Sequence, residues 1–208
     1  GQSPLFWLCI TNEENNLLDK IPNIHEKITP EGLNSVIQTG PFSGYSAFYI
    51  LTSTVKGRKI LRKIAPKIVS QLALNSIISL PIPGYSAIMW LTSSNMGHSL
   101  LEKMIDSGVT FDSKTLNHII EQGPDRGKSS LFFLAGTETG RPILEKMIDS
   151  GIKTDSQAIN RIIKQGPDRG LSALFWLARN ERGRPVLEKI IDSGVIVDSR
   201  TLNHIIDK

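Results

Sequence analysis

Apolar residues gather in short blocks that recur along the chain, each introduced by a Gly-x-Ser step at Gly1, Gly44, Gly84, Gly127 and Gly170. These starts lie 43, 40, 43 and 43 residues apart, so five repeats (1–43, 44–83, 84–126, 127–169 and 170–208) fill the 208 residues. Three helices are predicted in each. The first follows Ser3, Ser46, Ser86, Ser129 or Ser172, placed as N-caps whose hydroxyls can accept a free backbone N–H, and Pro4 suits the first helical position. Its body, as in Ala173-Leu-Phe-Trp-Leu-Ala178, is apolar on every side and must be buried between neighbours. The second opens at a Gly-Arg-Pro turn, Gly140-Arg141-Pro142 or Gly183-Arg184-Pro185. It carries an apolar stripe at Ile143, Leu144, Met147 and Ile148, then stops at Ser150-Gly151, where glycine can supply a left-handed cap. The third starts at Thr29, Ser70, Asp112, Asp155 or Asp198, different residues that all make good N-caps, and takes in segments such as Ser199–Ile206. Period-2 alternation is absent. The expectation is an all-α chain: a right-handed solenoid of five helical repeats, about three helices each, forming one repeat domain over 1–208.

The last repeat reads Gly170-Leu-Ser-Ala-Leu-Phe-Trp-Leu-Ala178, then Gly183, then Val186-Leu-Glu-Lys-Ile-Ile-Asp-Ser-Gly194. In that order it resembles an ankyrin repeat, whose unit has a Gly-x-Thr-Pro-Leu-His-like opening, a short helix, a Gly turn, a second helix ending Leu-Leu-x-x-Gly, and an Asp/Asn-containing finger. Gly1-Gln-Ser-Pro-Leu-Phe6 is the nearest copy of the opening, and Gly151-Ile-Lys-Thr-Asp155 is similar to the start of the finger. The resemblance covers every repeat, least well after the first helix of the first two. It departs in length, because an ankyrin unit has about 33 residues and the extra segment here reads as a third helix where the β-turn finger stands. The consensus His is also replaced, by Phe6, Tyr49, Met89, Phe132 and Phe175. Both departures imply a helix-for-hairpin variant, or a three-helix stack nearer to armadillo. Divergent arrays of this kind resemble those of effector proteins that intracellular bacteria deliver into host cells. The resemblance implies a scaffold that binds a partner protein, in the host cytosol if the chain is such an effector.

Composition adds little: 39% of residues are hydrophobic and 21% charged, with 17 Gly and 11 Pro, which excludes disordered, collagen-like and disulfide-rich classes. The net charge of +4 permits an acidic partner without demanding one. A single cysteine, Cys9, can form neither an internal disulfide nor a cysteine metal cluster. The longest apolar run, Leu5–Ile10, is far short of the roughly 20 residues that span a bilayer. No charged-then-apolar leader opens the visible chain, and a cytoplasmic, reducing compartment is expected.

Several ladders have competing readings. Asn34, Asn75, Asn117, Asn160 and Asn203 each fall five residues after a third-helix cap. They either face a ligand, as in proteins that read one base per repeat, or hold the adjacent inter-repeat turn, and the second is expected because buried amides need partners. Trp7, Ile50, Trp90, Phe133 and Trp176 form a stripe on the first helix; equally apolar neighbours favour core packing over stacking on a ligand. The second repeat concentrates Lys56, Arg58, Lys59, Arg62, Lys63 and Lys67 with no acid among them, where later repeats carry Glu102, Glu145 and Glu188 opposite Arg62. Phosphate, acidic lipid or an acidic protein can dock on such a cluster, and a solvated helix face is the plainer alternative. Membrane contact is expected only there. Elsewhere Glu and Lys alternate, leaving no continuous basic groove, which counts against a nucleic-acid reader.

Catalytic constellations are missing. His25, His98, His118 and His204 are scattered, and Arg161 replaces the repeat-equivalent His118 and His204 in the repeat between, which a metal or acid–base role would not tolerate. Without a Gly-rich phosphate loop or a nucleophile elbow, no enzyme activity, cofactor, metal or small-molecule substrate is expected. The expected function is a protein–protein interaction scaffold that binds through positions varying between repeats. These are Tyr45, Tyr85 and Lys128 after the opening Gly, Asn95, Glu138 and Arg182 between the first two helices, and His118, Arg161 and His204 on the third. Tyr45 and Tyr85 stand out because Tyr is common at binding hot spots. The alternatives are nucleic-acid or anionic-lipid binding through 56–67, or a module positioning an enzyme domain outside this chain. Neither end carries a polar capping repeat, the expectation for an excised piece of a longer protein.

Overall fold

The computed structural model describes residues 2–15, 17–64, 69–78 and 84–206, with the side chains of 12–15 excepted. Every regular element among them is helical: fifteen α-helices, one turn of 3-10 helix at Leu18–Lys20, and one isolated antiparallel bridge between Ile77 and Ser86. The chain divides into two compact units, Gly1–Thr110 and Phe111–Lys208.

The first unit holds α1 (Pro4–Asn15), α2 (Ile24–Lys27), α3 (Pro30–Asn34), α4 (Ala47–Ser53), α5 (Val55–Leu61), α6 (Gln71–Asn75), α7 (Ala87–Thr92) and α8 (Asn95–Asp106). Here α4 packs between α1 and α7, while α5 packs on α8. The apolar first helices are buried as their composition requires, with Phe6, Phe48, Leu51, Ile88 and Leu91 inside. The second unit holds α9 (Ser113–Asn117), α10 (Ser130–Gly136), α11 (Gly140–Asp149), α12 (Ser156–Asn160), α13 (Ala173–Arg179), α14 (Arg184–Asp192) and α15 (Ser199–Leu202). The same order of contacts recurs, α10 on α13 and α11 on α14, around Leu131, Leu134, Leu144, Leu177 and Ile190.

Local chemistry sets the helix starts. The hydroxyls of Ser3, Ser46, Ser129 and Ser172 accept the N–H three residues on, at 3.1–3.2 Å. Ser86 keeps the extended backbone of an N-cap but makes no such bond. All five third-helix caps, Thr29, Ser70, Asp112, Asp155 and Asp198, accept backbone N–H bonds. That third helix is shorter than the sequence suggests, ending at the ladder asparagine in four repeats and one residue before it in the last. Its continuation is committed to a tight paired loop. The Ile37 N–H donates to the Tyr45 carbonyl and the Gly44 N–H to the Ile37 carbonyl, both at 2.8 Å. Ile78 with Gly84 and Tyr85, Ile120 with Gly127 and Lys128, and Ile163 with Gly170 and Leu171 repeat the pattern. The loop needs φ of 86° to 92° at Gly44, Gly84, Gly127 and Gly170, a conformation that glycine alone adopts without strain.

A second device joins the first helix to the second. At Gly140 and Gly183 a Cβ would lie 2.5 Å from the carbonyl oxygens of Leu134 and Leu177, and at Gly57 and Gly97 closer still to those of Leu51 and Leu91. The next side chain reaches back to a carbonyl at the end of the first helix: Arg58 to Thr52, His98 to Thr92 (2.7 Å), Arg141 to Ala135 (3.1 Å) and Arg184 to Ala178 (3.2 Å). Such a donor satisfies an orphan carbonyl at the negative end of the helix dipole.

The asparagines supply the third device. Asn117 donates to the carbonyls of Ser113 (2.7 Å) and Lys153 (2.8 Å) and accepts from the Asp155 N–H (3.1 Å). Asn160 does the same with Ser156, Ile196 and Asp198, and Asn34 accepts from the Ser70 N–H at 2.8 Å. Asn34, Asn117 and Asn160 therefore clamp the backbone of the following repeat. Asn117→Ala is expected to lower the unfolding free energy of the second unit by about 1–3 kcal/mol in a urea titration, by removing three part-buried hydrogen bonds; an unchanged midpoint would refute the clamp.

His98 gives a pH signature. Burial lowers its pKa, and the bond to the Thr92 carbonyl only partly opposes this. The unfolded chain, with an ordinary value near 6.5, then binds more protons than the folded one. The stability contributed by neutral His98 is therefore present above about pH 6.5 and is lost as pH falls towards the folded-state pKa. His98→Arg, the residue used at the equivalent positions 58, 141 and 184, should flatten that dependence in unfolding curves taken across this range.

Candidate binding site

The basic cluster of α5 forms one rim of a groove. The 3-10 turn, the segment Ile21–His25 and the face of α5 continuing through Lys63 enclose about 850 Å³ within the first unit. Leu18 and Ile60, both buried, make the floor; Ile21, Pro22 and Ile24 make an apolar wall; Lys56, Lys59, Arg62 and Lys63 line the opposite side. Positions 56, 59 and 63 share a helix face, and helical bonds from the N–H groups of Arg62 and Lys63 carry that face past the end of α5. Lys56 and Lys63 are thus separated by about 10 Å of helical rise. Asp19 is the one carboxylate among the described residues that line the groove. Among the described residues no acid pairs with Lys59, Arg62 or Lys63.

The second unit treats its charges differently. Lys189 bonds Glu145 (2.9 Å) and Asp149 (2.7 Å), whose carboxylates raise its pKa, and Glu145 occupies the repeat position held by Arg62 in the groove. Arg62 therefore replaces an acceptor with a cation. Two members of the sequence-defined cluster do not join the rim. Arg58 is buried and serves as the helix cap described above, and Lys67 lies outside the described residues.

The variable positions scatter. Tyr45 and Tyr85 are 8% and 3% exposed, so these rings are packing residues and not the projecting anchors expected of them: Tyr45 rests on Tyr49, and Tyr85 is tilted over Trp90. Lys128 sits between Asp125 (2.9 Å) and Asp168 (2.8 Å); burial would lower its pKa, but the two carboxylates outweigh burial and raise it. Glu138 and Arg182 pair at 3.0 Å on the surface, and Arg161 approaches Glu121 at 3.7 Å. His118 is half-buried beside them, its pKa lowered chiefly by burial, with Glu121 opposing. Asn95 is exposed at the start of α8, and His204 borders an apolar recess with Leu174, Phe175 and Ile191. The structure brings Arg161 close to His118 through Glu121 and gathers none of the other residues into the groove. The aromatic stripe is only half-buried: the Trp90 indole N–H donates to the Tyr49 hydroxyl at 2.9 Å, while Trp7 packs edge-on against Phe6 and Phe42 and stays 43% exposed.

The apolar wall at Ile21–Ile24 had no counterpart in the repeat pattern. The first repeat departs from the others after its first helix, and the local signal is the spacing of Leu18, Ile21 and Ile24 through a polar stretch broken by Pro22. No group of three or more metal-ligating side chains occurs among the described residues, and none of the described helices is long and apolar enough to cross a membrane. Comparison with protein-family models, curated proteins and solved structures finds no match for the chain.

Cys9 is buried on α1, and burial pushes its thiol up to about 12. A nucleophilic role needs the thiolate. Native Cys9 should react with a disulfide reagent near neutral pH at least about tenfold more slowly than the urea-unfolded chain; equal rates would show an accessible thiol.

Proposed function

We propose that the chain is a protein-binding scaffold, a right-handed solenoid of five ankyrin-like helical repeats in which clamps and caps hold the frame and recognition falls to the surface between them. The observation that carries this reading is the groove of the first unit, where Lys59, Arg62 and Lys63, which no acid among the described residues pairs, face an apolar wall across a concave floor. Concavity and an apolar lining beside a few polar groups characterise a ligand site, whereas a merely solvated helix face has no opposing wall. Net positive charge at the rim selects a partner protein that presents acidic residues. A cytosolic setting goes with this reading, the host cytosol if the likeness to bacterial effectors holds.

The reading is tested with the K59E/R62E/K63E variant, whose substitutions fall on exposed side chains and should leave thermal unfolding unchanged. Immobilised wild-type chain should retain a reproducible set of proteins from nuclease-treated cytosol, identified by mass spectrometry, and the variant should lose them by at least about tenfold, or roughly 1.4 kcal/mol. Identical sets on both would refute the groove as the binding site. Retention that disappears on nuclease treatment would transfer the function to nucleic acid.

A further inference from the structure

We infer that the groove between Ile21–His25 and α5 binds a helix: an amphipathic acidic segment of the partner, its carboxylates against Lys59, Arg62 and Lys63 and its apolar edge against Ile21 and Ile24. This rests on the groove being a protein-binding site and adds the chemistry and conformation of the occupant.

The shape of the charge argues for it. Lys56, Lys59 and Lys63 form a row along two helical turns, about 10 Å long, with Arg62 beside it, and the cations do not converge on one point. A single phosphate needs convergent donors, often backbone N–H groups in a nest. A row is matched by acids spaced i, i+3 or i+4, and i+7 on a facing helix. The apolar wall lies opposite the row, so an occupant must be acidic along one edge and apolar along the other, the arrangement an amphipathic helix provides when it lies in a groove. Asp19 stands apart from the row, on the turn that bounds the apolar side, and offers an acceptor to a basic or hydroxyl group flanking the segment.

Two other macromolecules fit less well. A bilayer meets protruding groups, whereas Leu18 and Ile60 are recessed and buried at the floor. A nucleic-acid strand gains affinity by stacking bases on aromatic rings, and among the described residues no aromatic side chain other than the imidazole of His25 lines the groove.

The test uses a labelled synthetic peptide of about 18 residues, roughly 27 Å as a helix, with Glu spaced i, i+3 and i+7 beside a Leu stripe. Its controls are a scrambled peptide of the same composition, phosphatidylserine vesicles and a short DNA duplex. Binding to the intact chain is read by anisotropy for the peptides and DNA and by co-sedimentation for vesicles. The patterned peptide is expected to bind at least about tenfold more tightly than the scrambled one. K59E/R62E/K63E should abolish that preference, and I21S/I24S, which leaves every charge in place, should weaken the patterned peptide several-fold. Equal binding of both peptides, lost in the charge-reversed variant, would overturn the helix assignment while leaving a protein-binding groove. Insensitivity to I21S/I24S would likewise overturn it. Vesicles or DNA bound in preference to either peptide would overturn both the inference and the reading beneath it.

Discussion

The close approach of the second helix to the end of the first, at Gly57, Gly97, Gly140 and Gly183, is the constraint on which both units depend. A side chain at any of these positions would collide with a leucine carbonyl, so the two helices meet at backbone distance. That closeness brings the following Arg or His within reach of a carbonyl six residues earlier and seals the helix end. The hairpin so formed has one apolar face, which satisfies itself only against the next hairpin: α4 on α7 and α5 on α8 in one unit, α10 on α13 and α11 on α14 in the other. Burial of these faces supplies the driving force, at about 25 cal/mol per Å² of apolar surface. Polar groups at the junction decide the geometry in which it is collected.

What can be read from the amino-acid sequence follows the range of each interaction. Helix starts are visible because a cap bonds within three residues, so Thr29, Ser70 and the three aspartates identify themselves. The third-helix ends are not visible, because what stops them is pairing between segments such as Ile37 and Tyr45 across a loop. The Asn ladder is intermediate: its spacing announces a repeated role, while the clamp on residues 36 and 38 positions away emerges only in three dimensions. Tyr45 and Tyr85 mislead for a different reason. Variation between repeats suggests exposure, yet the paired loop turns these rings onto Tyr49 and Trp90, while Lys128 at the same position is held by aspartates.

The candidate site shows the same division. Its basic row lies within one short helix and is legible as composition. Arg58 belongs to that composition but not to that surface, because it is drawn inward by an orphan carbonyl. The opposing wall comes from the first repeat, where the periodic pattern fails, so a search by period passes over it. Charge pairing then separates the two units. Lys189 of the second unit is satisfied by Glu145 and Asp149 one repeat earlier, whereas Arg62 removes the corresponding acceptor from the first unit's groove.

The asparagine clamp between successive repeats grips main chain alone. Ser113 and Asn117 hold the N–H and carbonyl of Lys153 and the N–H of Asp155; Ser156 and Asn160 hold the same atoms of Ile196 and Asp198. A lysine and an isoleucine are gripped identically because neither side chain takes part. Such a coupling is indifferent to most of what mutation can alter. The clamp thus fixes where one backbone meets the next, and leaves the side chains at 153 and 196 free of that task.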